Sequence, residues 1–141
     1  MTAQKETVVL KKLWWVAPLS IVATILANLV TLFILDAIFQ LDDAFPPFQS
    51  IPIIVVTIMY LIVAILAYIL VARFSSNPVR LYNIIALIAL IVSFIPNIGL
   101  MLNPSGMPFA GTPFDFGILM IFHVVAWAVF VQLITRLTVE K

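Results

Sequence analysis

Four apolar runs, each long enough to cross the hydrocarbon core of a lipid bilayer, govern what this chain can become. They cover residues 13–38, 53–72, 81–102 and 116–135. A helix rising about 1.5 Å per residue spans that core in about 20 residues. A single apolar segment in lipid must also satisfy its own backbone hydrogen bonds, which a helix does and a lone strand does not. The runs are too long and unbroken, and the chain too short, for a closed barrel of alternating strands. The predicted fold is therefore all-α: an antiparallel four-helix transmembrane bundle, with residues 1–141 forming one four-span domain.

Charge supports the same conclusion. Of 141 residues, 65% are hydrophobic and 9% charged, against about a quarter charged in an ordinary soluble domain. So little charge cannot cover a surface in water, and the lipid bilayer is the expected partner. A net charge of +1 gives no reason to expect nucleic acid. Lys11 and Lys12 before an apolar run suggest a secretory signal, but the run is too long and no clean small-x-small cleavage pattern follows, so an uncleaved first span is expected.

The basic residues set a direction. Lys5, Lys11 and Lys12 precede the first run, Arg73 and Arg80 flank the short SSNPVR connection, and Arg136 and Lys141 follow the last run. All seven fall on one side in a four-span topology, opposite Asp36, Asp42, Asp43 and Asp115. The positive-inside rule then places both termini in the cytoplasm, with Trp14, Trp15 and Tyr82 as interfacial anchors on that side. The two outer connections, LDDAFPPFQSIP (41–52) and NPSGMPFAGTPFDF (103–116), hold six of the nine prolines and five of the eleven phenylalanines. Such loops either seal the bundle end or offer a docking surface to a lipophilic ligand or protein. Pro18 sits in the first turns of the first span, where a missing N–H matters least. Pro96 is expected to kink or end the third span near its outer end.

Polar groups inside hydrocarbon are costly, so their positions are informative. Ser20, Thr24, Asn28 and Thr31 recur at spacings of four, four and three, which puts them on one inward face of the first span. Ala86, Ala89 and Ser93 form a small-residue stripe in the third, of the kind that lets helices approach closely. Tyr60, Ser93 and His123 each lie 13 residues from the basic-side arginine that flanks their span, and Asn28 and His123 each lie eight from an outer aspartate. Counting by rise places all four at one level, roughly 20 Å from the basic side. The expectation is a polar layer of Asn28, Tyr60, Ser93 and His123 facing the bundle interior, with Trp127 one turn beyond His123. A neutral imidazole needs one donor and one acceptor, which Asn28 and Tyr60 can supply. The layer is either a satisfied network that fixes helix register or a ligand, ion or proton site. Asp36, near the outer end of the first span, either reaches the interface or stands as a charge at the way in for a cation or amine.

Other chemistry lacks its residues. There is no cysteine for disulfide exchange, iron–sulfur clusters or thiolate zinc. One histidine is too few for a metal site built on converging ligands or for bis-histidine haem within one chain. Glu6 and Glu140 are terminal, so the chain lacks the first-span glutamate on which small multidrug-type antiporters rely. No metal and no cofactor is expected.

LWWVAPL at 13–19, Asn28, ARFSSNPVR at 72–80, SFIPNIGL at 93–100 and FHVVAW at 122–127 together resemble an uncharacterised family, a domain of unknown function, of small bacterial four-span membrane proteins. That resemblance runs over nearly the whole chain. It implies a multi-pass protein of the bacterial inner (plasma) membrane and implies no activity. The expected role is a non-enzymatic accessory or interaction subunit of a membrane assembly, docking other membrane-protein subunits or itself. The alternative is a binder or carrier of a small lipophilic molecule that enters from the outer face and is read by the polar layer.

Overall fold

The computed structural model describes residues 7–103 and 111–140. Four helices carry it: α1 (Leu13–Phe39), α2 (Ser50–Phe74), α3 (Pro78–Leu102) and α4 (Pro113–Thr138). Each is long and apolar enough to cross a membrane. They run up and down in sequence order, each packed on its neighbour, and α1 closes on α4 to complete the ring. The fold is an all-α four-helix bundle. Its outward faces expose Val22, Leu26, Val30 and Phe33 on α1 and Leu66 and Leu70 on α2, an apolar surface far too continuous for water. This is a small multi-pass membrane protein.

The two ends of the bundle are finished differently. At the basic end, β1 (Thr7–Val8) pairs antiparallel with β2 (Val139–Glu140), so the ends of the described chain are clasped together. The Val9 N–H continues the clasp by donating to the Thr138 carbonyl at 2.9 Å. Thr138 Oγ1 donates to the Ile134 carbonyl at 2.6 Å, which leaves it to accept from the Tyr68 hydroxyl, also at 2.6 Å. Tyr68 meets Tyr82 edge to face with centroids 4.7 Å apart. Tyr82 is only 2% exposed and its hydroxyl donates to the Ala64 carbonyl at 3.2 Å. It is therefore a core residue, and the interfacial position expected of it is corrected: the phenol finds its hydrogen bond on α2 instead of at a water boundary. Trp14, on the lipid-facing side of α1, is 79% exposed.

At the acidic end, Gln40 adopts a left-handed conformation (φ 50°) that ends α1. Its N–H donates to the Asp36 carbonyl at 2.8 Å. The connection then turns Phe45 and Phe48 inward, where both are buried with Phe116 of α4. Phe45 meets Phe48 at 4.8 Å and Phe116 at 5.5 Å, both edge to face, the arrangement that ring quadrupoles favour. A Cβ on Gly111 would lie 2.5 Å from the Phe45 ring and 2.9 Å from that of Phe116, so any larger residue here requires these buried rings to shift. The helix α4 opens on a capping box: Thr112 N–H and Oγ1 both donate to the Asp115 carboxylate at 2.7 Å, and the Asp115 N–H donates back to Thr112 Oγ1 at 3.3 Å. Residues 104–110 of the second connection lie outside the described residues, and with them Phe109.

Pro96 does not end α3, which continues to Leu102. The proline sits inside the helix, and the extra turn beyond it carries Asn97 into the core.

Candidate functional site

Two apolar plugs fill the bundle, one around Tyr68, Tyr82 and Phe130 at the basic end and one around Phe45, Phe116 and Phe122 at the acidic end. Between them the core becomes polar, for a reason visible helix by helix. On α1 the inward line runs Val16, Ser20, Thr24, Asn28, Leu35; on α2 it runs Ile53, Thr57, Leu61, Tyr68. Asn28 and Thr57 therefore meet, Asn28 Nδ2 donating to Thr57 Oγ1 at 3.1 Å. Across the bundle Asn97 Nδ2 lies 3.4 Å from His123 Nε2 and also donates to the Ser93 carbonyl at 3.3 Å.

The expected polar layer is thus partly assembled and partly redrawn. Asn28, Ser93, His123 and Trp127 all line one cavity with Tyr60, but the hydrogen-bond partners differ from those expected. His123 is served by Asn97 and not by Asn28 or the Tyr60 hydroxyl. Tyr60 is 63% exposed and presents its ring edge-on to His123 at 6.3 Å, so it stands at the rim and does not face the interior. Counting depth gave its level correctly but carried no information on its face, and the inward line of α2 passes through Thr57 instead. Ser93 spends its proton on the Leu90 carbonyl at 2.6 Å. Thr24 and Thr31 bond back to the carbonyls four residues earlier, at 2.7 and 2.8 Å. Asp36 is outside the cavity; its carboxylate accepts from the Leu41 N–H at 3.1 Å at the exposed end of α1. Thr57 and Asn97 are the residues missed. Asn97 lies four after Ser93 on the same face, but a helix expected to kink or end at Pro96 hid it.

The cavity encloses about 290 Å³. Its room comes from alanines: Ala64 and Ala67 on α2, Ala86 and Ala89 on α3, and Ala126 on α4 all line it. The small stripe of α3 therefore lines a space and does not bring the helices into close contact. Helix α2 is also seated less extensively on its two neighbours than α4 is. Phe122, Phe130 and Val131 of α4 are buried and form the back wall, whereas Tyr60 and Val63 of α2 and Ile85 and Ala89 of α3 are exposed. The mouth thus opens sideways between α2 and α3, through faces that contact lipid, and not along the bundle axis. None of the lining residues is Asp, Glu, Lys or Arg.

Two buried polar atoms on this lining have no hydrogen-bond partner in the protein: Asn28 Oδ1 and Trp127 Nε1. Asn28 is 3% exposed. Among the described residues no three His, Cys, Asp or Glu side chains converge.

No family model, no curated protein and no solved structure gives a match to this chain. The functional argument therefore rests on the cavity itself.

Proposed function

We propose that this protein is a non-enzymatic binder or carrier of a small lipophilic molecule, which it takes from the membrane sideways through the gap between α2 and α3. The observation that carries this reading is the 290 Å³ cavity beside His123 and Tyr60, walled by alanine and aromatic carbon and open toward lipid. Ligand sites are concave, mostly apolar and furnished with few polar groups, as this one is. The docking role expected of the Phe/Pro loops loses support, since Phe45 and Phe48 are turned into the core. An accessory subunit remains the reading to exclude by experiment.

The seven basic residues on one side support a cytoplasmic position for both clasped ends and a place in a bacterial inner membrane. In that frame the polar layer lies in the outer half of the bilayer.

Purification in mild detergent, followed by mass spectrometry of bound proteins and lipophiles, tests the function. A neutral lipophile near one copy per chain, lost from an Ala86→Phe variant that still folds, is the expected result. A stoichiometric partner protein with no bound lipophile overturns it in favour of the accessory subunit.

A further inference from the structure

The polar atoms around the cavity are not equally within reach of a guest. Asn28 Oδ1 and Trp127 Nε1 are sealed beneath their neighbours. Tyr82 is 2% exposed, and its hydroxyl is held by the Ala64 carbonyl. Ser93 is half-buried and has committed its proton to the Leu90 carbonyl. His123 is different. It is half-buried, lines the cavity and stands beside Tyr60 at the rim, with 6.3 Å between ring centroids. Asn97 engages its Nε2 at 3.4 Å. Its Nδ1 has no hydrogen-bond partner among the described residues and is not one of the sealed atoms.

A reachable imidazole nitrogen is thus the one basic side-chain atom on a lining without Asp, Glu, Lys or Arg. That decides which head group matches it. In a neutral ring, Nδ1 either donates or accepts, according to tautomer. An ester, ketone or ether only accepts, and so serves one tautomer. An alcohol or a carboxylic acid both donates and accepts, and serves either. Of these two, the carboxyl O–H is the more acidic donor, and hydrogen bonds strengthen as they gain charge assistance. Passing the proton to an unprotonated Nδ1 breaks one O–H bond, forms one N–H bond and leaves the pair without net charge. An amine, charged in water, finds no carboxylate on this lining, and burying an unpaired charge is costly.

We infer that the cavity takes a lipophilic carboxylic acid, which enters as the neutral acid and sets its carboxyl group against His123 Nδ1. This rests on the binding role proposed above and gives the ligand its chemical class.

The chain has one histidine, so nitrogen NMR of isotope-labelled histidine reports on this site alone. The experiment uses the full chain, purified on a histidine-free tag, in phosphatidylcholine nanodiscs. Laurate is expected to shift the ring-nitrogen resonances saturably, and methyl laurate or dodecylamine to shift them far less. A second readout uses laurate with a diazirine in its chain and the methyl ester of that probe, with labelled segments mapped by peptide mass spectrometry. Labelling is expected around Ala64, Ala86 and Ala126, at about tenfold lower concentration for the acid than for the ester. His123→Leu should make the two probes equal while ester labelling persists; if that variant fails to fold, the wild-type resonances carry the test. If neither probe labels a cavity segment, the binding role itself fails. If the ester labels as well as the acid, or laurate leaves the ring resonances unmoved, the site stands and the acid inference is overturned. Dodecylamine displacing the acid probe as well as laurate does overturns it too.

Discussion

At the acidic end of the bundle, Phe45, Phe48 and Phe116 interlock so closely that a single added methyl at Gly111 would strike two rings. A few turns inward, alanines on three helices leave a space of about 290 Å³, enough for about ten water volumes. Both regions are lined almost wholly by carbon. The difference is that the loop adds bulky rings at the seal, whereas α2, α3 and α4 each place alanine on the wall of the cavity. A membrane bundle gains nothing from leaving apolar space unfilled, because packing is one of the few forces that hold its helices together. Leucine in place of alanine on these helices would fill that space.

The contrast can be broken by substitution. Phe45→Ala removes the central ring of the seal, and the expected loss is about 3–5 kcal/mol, measured as the unfolding free energy in micelles or bilayers. A loss under about 1 kcal/mol would show that the seal is not tightly packed. Gly111→Ala adds only a methyl, but it adds it against Phe45 and Phe116; the expected cost is about 1–3 kcal/mol by the same measurement. Ala86→Leu adds three carbons inside the cavity and should shift stability by less than about 1 kcal/mol in either direction. The comparison turns on the last two. If the larger addition at residue 86 costs as much as the smaller one at residue 111, the two regions are equally packed and the cavity is not a standing feature of the fold.

Depth along a span and face around it are separate pieces of information, and Tyr60 shows how they come apart. Its distance from Arg73 fixes its level, because rise per residue is constant in a helix. Its face depends on which side of α2 meets the bundle, and the run from Ile53 to Ala72 carries only Thr57 and two tyrosines among aliphatic residues, so periodicity has little contrast to report. On α1 the contrast exists. Ser20, Thr24 and Asn28 mark one face of an otherwise aliphatic helix, and that face is buried as expected. Asn97 was legible by its spacing from Ser93 but not by the usual meaning of proline, since helices in lipid tolerate proline where neighbours stabilise the turn.

Sequence alone determined the solvent, the four helices and the separation of acidic from basic ends, because each follows from hydrophobic length and from the cost of burying charge, which do not depend on which helix meets which. It also predicted a common depth for Asn28 and His123, which line the same cavity. Tertiary structure decided their partners: Asn28 with Thr57, and His123 with Asn97. It also decided that the alanines of α2, α3 and α4 face one another across a gap. Those outcomes depend on the rotation of each helix about its own axis, which in an all-apolar segment is set by contact with the neighbours and not by the segment's own pattern.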